Sequence, residues 1–447
     1  MKSDYRFCPV IFRALIKPSR LYSHVLFLLT DGRSFDRIEA IKSWRVMLKN
    51  KNILISGAGV AGLTLAYWLK QYGFNPTLIE KHPSLRAGGY KIDLRGVALE
   101  ILKRMKIYSA VVENRTVITH AIFVDKAGRQ VSQMSADLCG TRLEGVDLEI
   151  MRGNLCLIMK DALVGIECIF GDSIIQIIEK PDGVTVEFEN STSRVFDLII
   201  GADGLHSNVR KLTFGDESKF SREFGVYVSV FSIPNFLELN ACEIEHHSPR
   251  KFVNIYRDRK DSNANVALAF SLEKPFYSRD QSEQKKLIDQ VFSNSVWEIP
   301  RILEAMKESS DFYFDSMAQI HMPFWSKGRV TLVGDAAYSA TPMSGQGTSI
   351  AIAGAYVLAG ELSSAQGDYQ TAFSHYEKII RPFVEENQAL ANMSAHIIKD
   401  SFYSVWLHRI SAVMPSKILY YFKSLALKRT TKAANALTLK DYHEKNN

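Results

Sequence analysis

The sequence predicts an α/β fold, and three observations predict it. From Asn52 a strand, a glycine-rich turn, a helix and a second strand follow one another; two later buried strands each run into a Gly/Asp turn, at Gly201 and at Gly334; and period-two segments lie between those turns. Ile53-Leu54-Ile55 is a short continuous apolar run of the buried parallel-strand type, ending at Ser56. Gly57-Ala58-Gly59-Val60-Ala61-Gly62 follows at once, then the helix-compatible Leu63 to Lys70, Gly73, and a strand from Thr77 to Ile79 that ends at Glu80. This is a Rossmann-like βαβ unit. Asp197 to Ile200 and Arg329 to Val333 read as further buried strands, and Thr348 to Leu362 as a helix. Gly225 to Ile233, Phe252 to Tyr256 and Asn265 to Phe270 alternate with period two, which predicts an inserted antiparallel sheet with two distinct faces. Helices are expected at the C-terminal end.

Composition narrows the function. The chain has 447 residues, 46% hydrophobic and 23% charged, enough for a sizeable core and about two or three domains. Its net charge of +7 sits at the ends: residues 1 to 50 carry +6, residues 399 to 447 carry +6, and residues 51 to 398 carry −5. A nucleic-acid binder would carry its basic residues on the folded body, so no nucleic-acid partner is expected. Five cysteines without a C-x-x-C pair suit a reducing, cytoplasmic setting. No apolar run reaches the roughly 20 residues that span a bilayer. Residues 1–46 lack periodicity and are expected outside the fold, with Met47 as the natural start.

Each residue of the glycine turn has a physical task. Gly57 permits the tight turn, Gly59 lets a phosphate approach the backbone, and Gly62 lets the helix pack on the strand, with free N–H groups facing a pyrophosphate. Glu80 sits where a carboxylate accepts hydrogen bonds from ribose hydroxyls. A lone G-x-G-x-x-G is weak, but strand before, helix after and acid beyond make it a dinucleotide site. No metal site is expected: there is no H-E-x-x-H and no paired C-x-x-C, and the adjacent His246-His247 falls in a strand region where neighbours point to opposite faces.

Two further motifs complete a pattern. Gly201-Ala202-Asp203-Gly204-Leu205-His206-Ser207-Asn208-Val209-Arg210 and Gly334-Asp335-Ala336-Ala337, the latter followed by Gly345-Gln346-Gly347, come after the first turn in order. The chain thereby resembles the class A flavoprotein monooxygenases, the family of para-hydroxybenzoate hydroxylase, over about residues 50 to 395. Ile79-Glu80-Lys81, Gly88 to Gly96, Glu149 to Arg152, Phe312 to Ser316 and Ser344 to Leu362 make it most similar to the flavin-dependent tetracycline destructases within that family. Tyr338 departs from relatives that carry His after G-D-A-A.

The resemblance implies FAD as cofactor and NADPH as transient reductant. It places Gly57, Gly59, Gly62, Glu80, Lys81, Arg86, Asp93, Arg152, Asp203, Asp335, Gly345 and Gly347 around FAD, with Asp203 credited with NADPH as well. Gly345 and Gly347 open a helix whose positive end favours the negative charge of reduced flavin. No protein residue is expected to be catalytic, since the cofactor carries the chemistry. The implied reaction transfers hydroxyl from O2 to an aromatic or polyketide substrate, with tetracycline inactivation its most specific form; a reductase acting on an isoprenoid or polyketide and a non-catalytic flavin sensor are the rivals. The implied organisation is an FAD-binding domain from 47–220 and 321–395, a substrate domain from 221–320 and a helical segment from 396–447, in a monomer. Tyr227, Ser229 and Phe231 share one strand face and are expected at the substrate, although packing against a helix would use the same pattern. Pro415 is expected to break the C-terminal helix and Ser416 to cap the next, Lys417 to Lys428.

Overall fold

The structure is a computed structural model that describes residues 48–85, 90–135, 146–399, 414 and 416–442, all within one compact unit, Leu48–Asn447. The expected 1–46 extension, Met47, Arg86, Pro415 and residues 400–413 lie outside the described residues.

In chain order the elements are β1 (Asn52–Ser56), α1 (Val60–Gln71), β2 (Asn75–Glu80), β3 (Lys91–Leu94), α2 (Val97–Arg104), α3 (Tyr108–Glu113), β4 (His120–Val124), β5 (Gln130–Ser135), β6 (Leu148–Met151), α4 (Arg152–Asp161), β7 (Glu167–Phe170), β8 (Ile174–Lys180), β9 (Gly183–Phe188), β10 (Arg194–Phe196) and β11 (Leu198–Gly201). They continue with α5 (Asn208–Phe214), β12 (Ser221–Pro234), β13 (Cys242–Ser248), β14 (Lys251–Arg257), β15 (Asn263–Ser271), α6 (Gln281–Phe292), α7 (Ile299–Glu308), β16 (Tyr313–Ile320), β17 (Ser326–Lys327), β18 (Val330–Leu332), α8 (Asp335–Tyr338), α9 (Gly347–Ser364), α10 (Tyr369–Lys399) and α11 (Ser416–Ala434).

β1 is apolar on both faces and lies inside a six-stranded sheet of order β17-β18-β11-β1-β2-β7, parallel except for the β17–β18 pair. Ile53, Leu54 and Ile55 are fully buried, the reason a continuous rather than an alternating apolar run is needed there. β1 and β11, the strands that lead into the glycine turn and the first Gly/Asp turn, pair directly, and β18, which leads into the second Gly/Asp turn, pairs with β11, so the three turns emerge side by side at one end of the sheet. β8 to β10 form a small antiparallel sheet, and β3 pairs with β6.

The second large sheet has seven strands in the order β16-β12-β15-β14-β13-β4-β5. It contains the three period-two segments, but also β4 and β5, which come from residues 120–135 rather than from the 221–320 segment. β4 joins parallel to β13, so the sheet is mixed. Tyr227, Ser229 and Phe231 correct the expectation of a substrate face. They are 1%, 0% and 1% exposed, and Tyr227 and Phe231 pack with Ile288 and Phe292 of α6 and Ile302, Leu303 and Met306 of α7. The hydroxyl of Tyr227 accepts from the Phe276 N–H at 2.8 Å. Their face is core under two helices. The other face carries Phe224, Val226, Val228, Phe252, Ala269 and Met317.

α9 is apolar almost all round, as a helix enclosed by others must be, and packs on α1 and α10. Its small residues admit bulky neighbours: a Cβ at Gly354 would stand 1.9 Å from the Tyr338 hydroxyl, and one at Gly360 2.3 Å from the Tyr442 ring. Tyr338 is therefore turned into the core, where its ring lies 4.6 Å from that of Trp325 and its hydroxyl 2.9 Å from that of Tyr376. The C-terminal helix begins at Ser416 and runs beyond Lys428 to Ala434. Past it, Tyr442 and Lys440 donate to the buried carboxylate of Glu361 at 2.8 and 2.6 Å. Among the described residues no helix is long and apolar enough to cross a membrane.

Replacing Glu361 with Ala leaves the Tyr442 hydroxyl buried without its acceptor. Urea titration is expected to show a loss of about 1–3 kcal/mol of stability, the cost of an unsatisfied buried polar group.

Candidate cofactor and active site

The glycine turn is fixed by close backbone packing. Gly57 has φ +104°, and a Cβ there would meet the Ala202 carbonyl oxygen at 2.5 Å; a Cβ at Gly62 would meet the Gly57 carbonyl oxygen at 1.9 Å. Only glycine lets α1 begin this close to β1 and β11. No side chain caps α1 at Gly59, so the N–H groups of its first turn remain open to an anion.

Arg152, at the start of α4, faces that end of the helix: a Cβ at Gly59 would lie 3.4 Å from its Nη2. Its backbone N–H donates to the Tyr90 carbonyl at 3.1 Å, but its guanidinium makes no hydrogen bond or ion pair with any described residue. A half-buried arginine with no acceptor among the described residues, beside an uncapped helix, suits a diphosphate. Across from it, Asp335 opens α8. Its side chain is exposed to solvent, yet burial among the surrounding protein raises its carboxyl pKa while Arg152 pulls it down. A carboxyl both accessible and enclosed lines a cleft.

Glu80 closes the opposite side. Its carboxylate accepts from the Ala58 N–H at 2.9 Å and from the His82 N–H at 3.0 Å, which ties the tip of β2 to the glycine turn; Lys81 follows on the exposed surface. Asp93 pairs with Arg95 at 2.5 Å, and Arg95, 2% exposed, also faces Asp147 at 3.7 Å. A Cβ at Gly345 would come 3.6 Å from Arg95, so the Gly345–Gly347 turn lies against this ion pair. α9 also starts without a side-chain cap, and the fully buried Gln346 carboxamide has no partner among the described residues. Before it, Thr341 holds φ +64°, an uncommon position for a β-branched residue, secured by two donors from Ser344 to its carbonyl.

The structure thus brings Gly57, Gly59, Gly62, Glu80 and Arg152 together, with Asp335 within the field of Arg152, and joins Asp93 to Gly345. Asp203 has a different local task. Its carboxylate accepts from the Ser207 hydroxyl at 2.5 Å and from the N–H groups of Asn208 and Val209 at 2.8 and 3.0 Å, so it holds the start of α5. His246 and His247 bond to the Val124 carbonyl and to Glu245.

Sequence reasoning missed several residues beside the cleft. The rings of Tyr90 and Tyr313 lie tilted to each other with centroids 6.0 Å apart, and the Tyr313 hydroxyl donates to Asp315 at 2.9 Å. Asp315 also meets His206 Nε2 at 2.9 Å, and His206 Nδ1 meets Glu217 at 2.8 Å. Burial opposes the charge on His206, but the hydrogen bonds to Asp315 and Glu217 outweigh it and carry its pKa up to about 9. These residues stand in motifs already noted, Gly201 to Arg210 and Phe312 to Ser316, but no spacing rule pairs a histidine with a carboxylate on another strand.

An uncapped helix, an arginine without a partner among the described residues and an enclosed carboxyl at the end of a parallel sheet form a dinucleotide site. The chain belongs to the FAD binding domain family, whose pattern it matches over residues 50–388, and it is a class A flavin monooxygenase. It is 43% identical over 344 residues to a flavin-dependent monooxygenase from an unidentified prokaryote, covering 77% of this chain and 89% of that one. Among solved structures it is similar to the tetracycline destructases Tet(51), at TM-score 0.79 and 34% identity over 89% of this chain and 100% of that one, and Tet(55), at 0.76 and 38% over 88% and 99%.

Arg152→Met is expected to weaken FAD binding about tenfold to a hundredfold, the worth of one or two charge-assisted hydrogen bonds, with the melting temperature of the FAD-free protein unchanged; quenching of flavin fluorescence measures it. The His206 shift has a sign that equilibrium unfolding tests. Its folded pKa lies above the unfolded value of about 6.5, so its stabilising contribution is complete below that and is lost as pH rises through about 9. The stability difference between wild type and His206→Gln should narrow over that window.

Proposed function

We propose that this enzyme is an FAD-dependent, NADPH-consuming monooxygenase of the cytoplasm that hydroxylates an electron-rich polycyclic substrate and inactivates tetracyclines. The observation that supports the reading is the likeness to Tet(51) and Tet(55), which covers 89% and 88% of this chain at 34% and 38% identity. FAD, when bound, would supply the redox chemistry, hydride acceptance and oxygen activation, that no side chain provides.

The chain's own residues do the rest. The first turn of α1 and Arg152 hold the diphosphate, Glu80 takes ribose hydroxyls, and Asp335 takes the chain between ribose and ring. The Gly345–Gly347 turn presents the positive end of α9 to the ring, where negative charge gathers on reduction. The sheet face of Phe224, Val228, Phe252 and Met317 offers an apolar wall to the substrate and keeps water from the reacting carbon. Tyr227, Ser229 and Phe231 have no part in it.

Purified protein is expected to be yellow, to oxidise NADPH faster when tetracycline is added, and to convert the drug into a product one oxygen atom heavier, the atom coming from labelled O2. NADPH oxidation without label in any product would leave a reductase instead.

A further inference from the structure

A file of polar groups, Glu217, His206, Asp315 and Tyr313, runs by successive hydrogen bonds from the surface toward Arg152. Its outer members are Glu217 and His206, whose side chains are 30% and 33% exposed. His206 lies between two carboxylates, Nδ1 on Glu217 at 2.8 Å and Nε2 on Asp315 at 2.9 Å, so both ring N–H groups donate and the imidazole is charged. Asp315 uses its other oxygen to accept from the Tyr313 hydroxyl at 2.9 Å. The Tyr313 ring lies tilted against that of Tyr90, and Tyr313 acts on Arg152, whose guanidinium stands beside Gly59. Other charges around the file are Arg210, which donates to Glu217 at 2.6 Å, Arg279, which also acts on Glu217, Glu223, and Asp335, on which both Asp315 and Arg152 act. Within the file the carboxylates of Glu217 and Asp315 are balanced by His206 and Arg210.

We propose that Glu217, His206, Asp315 and Tyr313 form a proton chain from solvent to the cofactor cleft, with His206 the outer group and Tyr313 the inner one. The inference rests on the monooxygenase reading above. Hydroxylation takes up substrate C–H, O2, NADPH and one H⁺, and yields substrate C–OH, NADP⁺ and water. The chain supplies that H⁺. His206 gives its Nε2 proton to Asp315; the Asp315 carboxyl turns and gives a proton to the Tyr313 oxygen as the Tyr313 hydroxyl proton passes into the cleft; and the His206 ring turns its bare nitrogen to the solvent side, where it takes a proton from water. One proton enters, one leaves, and no residue changes oxidation state. Tyr313, Asp315 and His206 are relay residues that act on the reaction through the proton they pass.

Two measurements test this separately. In the FAD-free protein, ¹⁵N resonances of histidine, assigned by their loss in His206→Gln, are expected to show His206 titrating near 9, and Asp315→Asn to lower that midpoint by at least a unit. A wild-type midpoint in the ordinary imidazole range overturns the chain, whatever the enzyme's activity. In the FAD-loaded enzyme, Tyr313→Phe keeps the ring and removes the inner link. Its kcat is expected to fall about tenfold to a hundredfold, with a larger solvent deuterium isotope effect and partial rescue by added imidazole buffer, while the KM for NADPH holds. Wild-type turnover in Tyr313→Phe, a loss that buffer does not restore, or a change confined to the KM for NADPH overturns the relay. A wild-type enzyme that never oxidises NADPH removes the monooxygenase reading instead, and the resonance titration still decides the chain.

Discussion

Everything in the cofactor half of the molecule depends on how near α1 comes to the strands beneath it. The Gly62 Cα hydrogen side faces the Gly57 carbonyl and Gly57 faces Ala202, with no room for a methyl group at either place. That approach sets the angle at which the helix leaves the sheet, and so where its unsatisfied N–H groups point. Arg152 is placed against the same spot from a different part of the chain, by the backbone bond from its N–H to Tyr90. Two positive features converge there, one a backbone dipole and one a guanidinium, and neither is neutralised by the described protein.

The second sheet is organised by a division of labour between its faces. Aromatic residues alternate along β12, and the same alternation would suit a ligand or a helix. α6 and α7 decide between them by covering one face completely, with Phe292 edge-on to Phe270 and the rings of Tyr227 and Phe314 stacked 5.8 Å apart. The opposite face sets Phe224 and Phe252 among smaller side chains and Met317, which adapts to shape more readily than a ring.

Much of this was legible in the sequence, and the reasons are local. A buried parallel strand must be apolar on both faces, a helix that meets a diphosphate must start with glycine, and an acid at the end of the second strand has few other tasks there; Ile53 to Ile55, Gly57 to Gly62 and Glu80 obey these rules. What escaped involved partners far apart in the chain. Nothing in the pattern of β12 says which face the helices cover, so Tyr227, Ser229 and Phe231 read the same either way. Asp203 sits in a motif associated with cofactor contact, but its own neighbours Ser207 to Val209 satisfy it first. His206 and Asp315 stand 109 positions apart, and only the fold makes them a pair. β4 and β5 looked like part of the first domain because they precede β6, whereas their hydrogen bonds are to the second sheet.

That excursion of β4 bears on how the chain matures during synthesis. His120 pairs with Cys242 and Val124 with His246, so the strand emerges from the ribosome long before its neighbour exists. Pairings of such sequence separation are slow to form, because a long loop must close before any contact rewards it. In the interval the β4–β5 hairpin has an open edge, and Phe123 lacks the burial it has in the finished sheet. Yield in a heterologous host should therefore respond to chaperone supply and to growth temperature more than to the intrinsic stability of the completed enzyme.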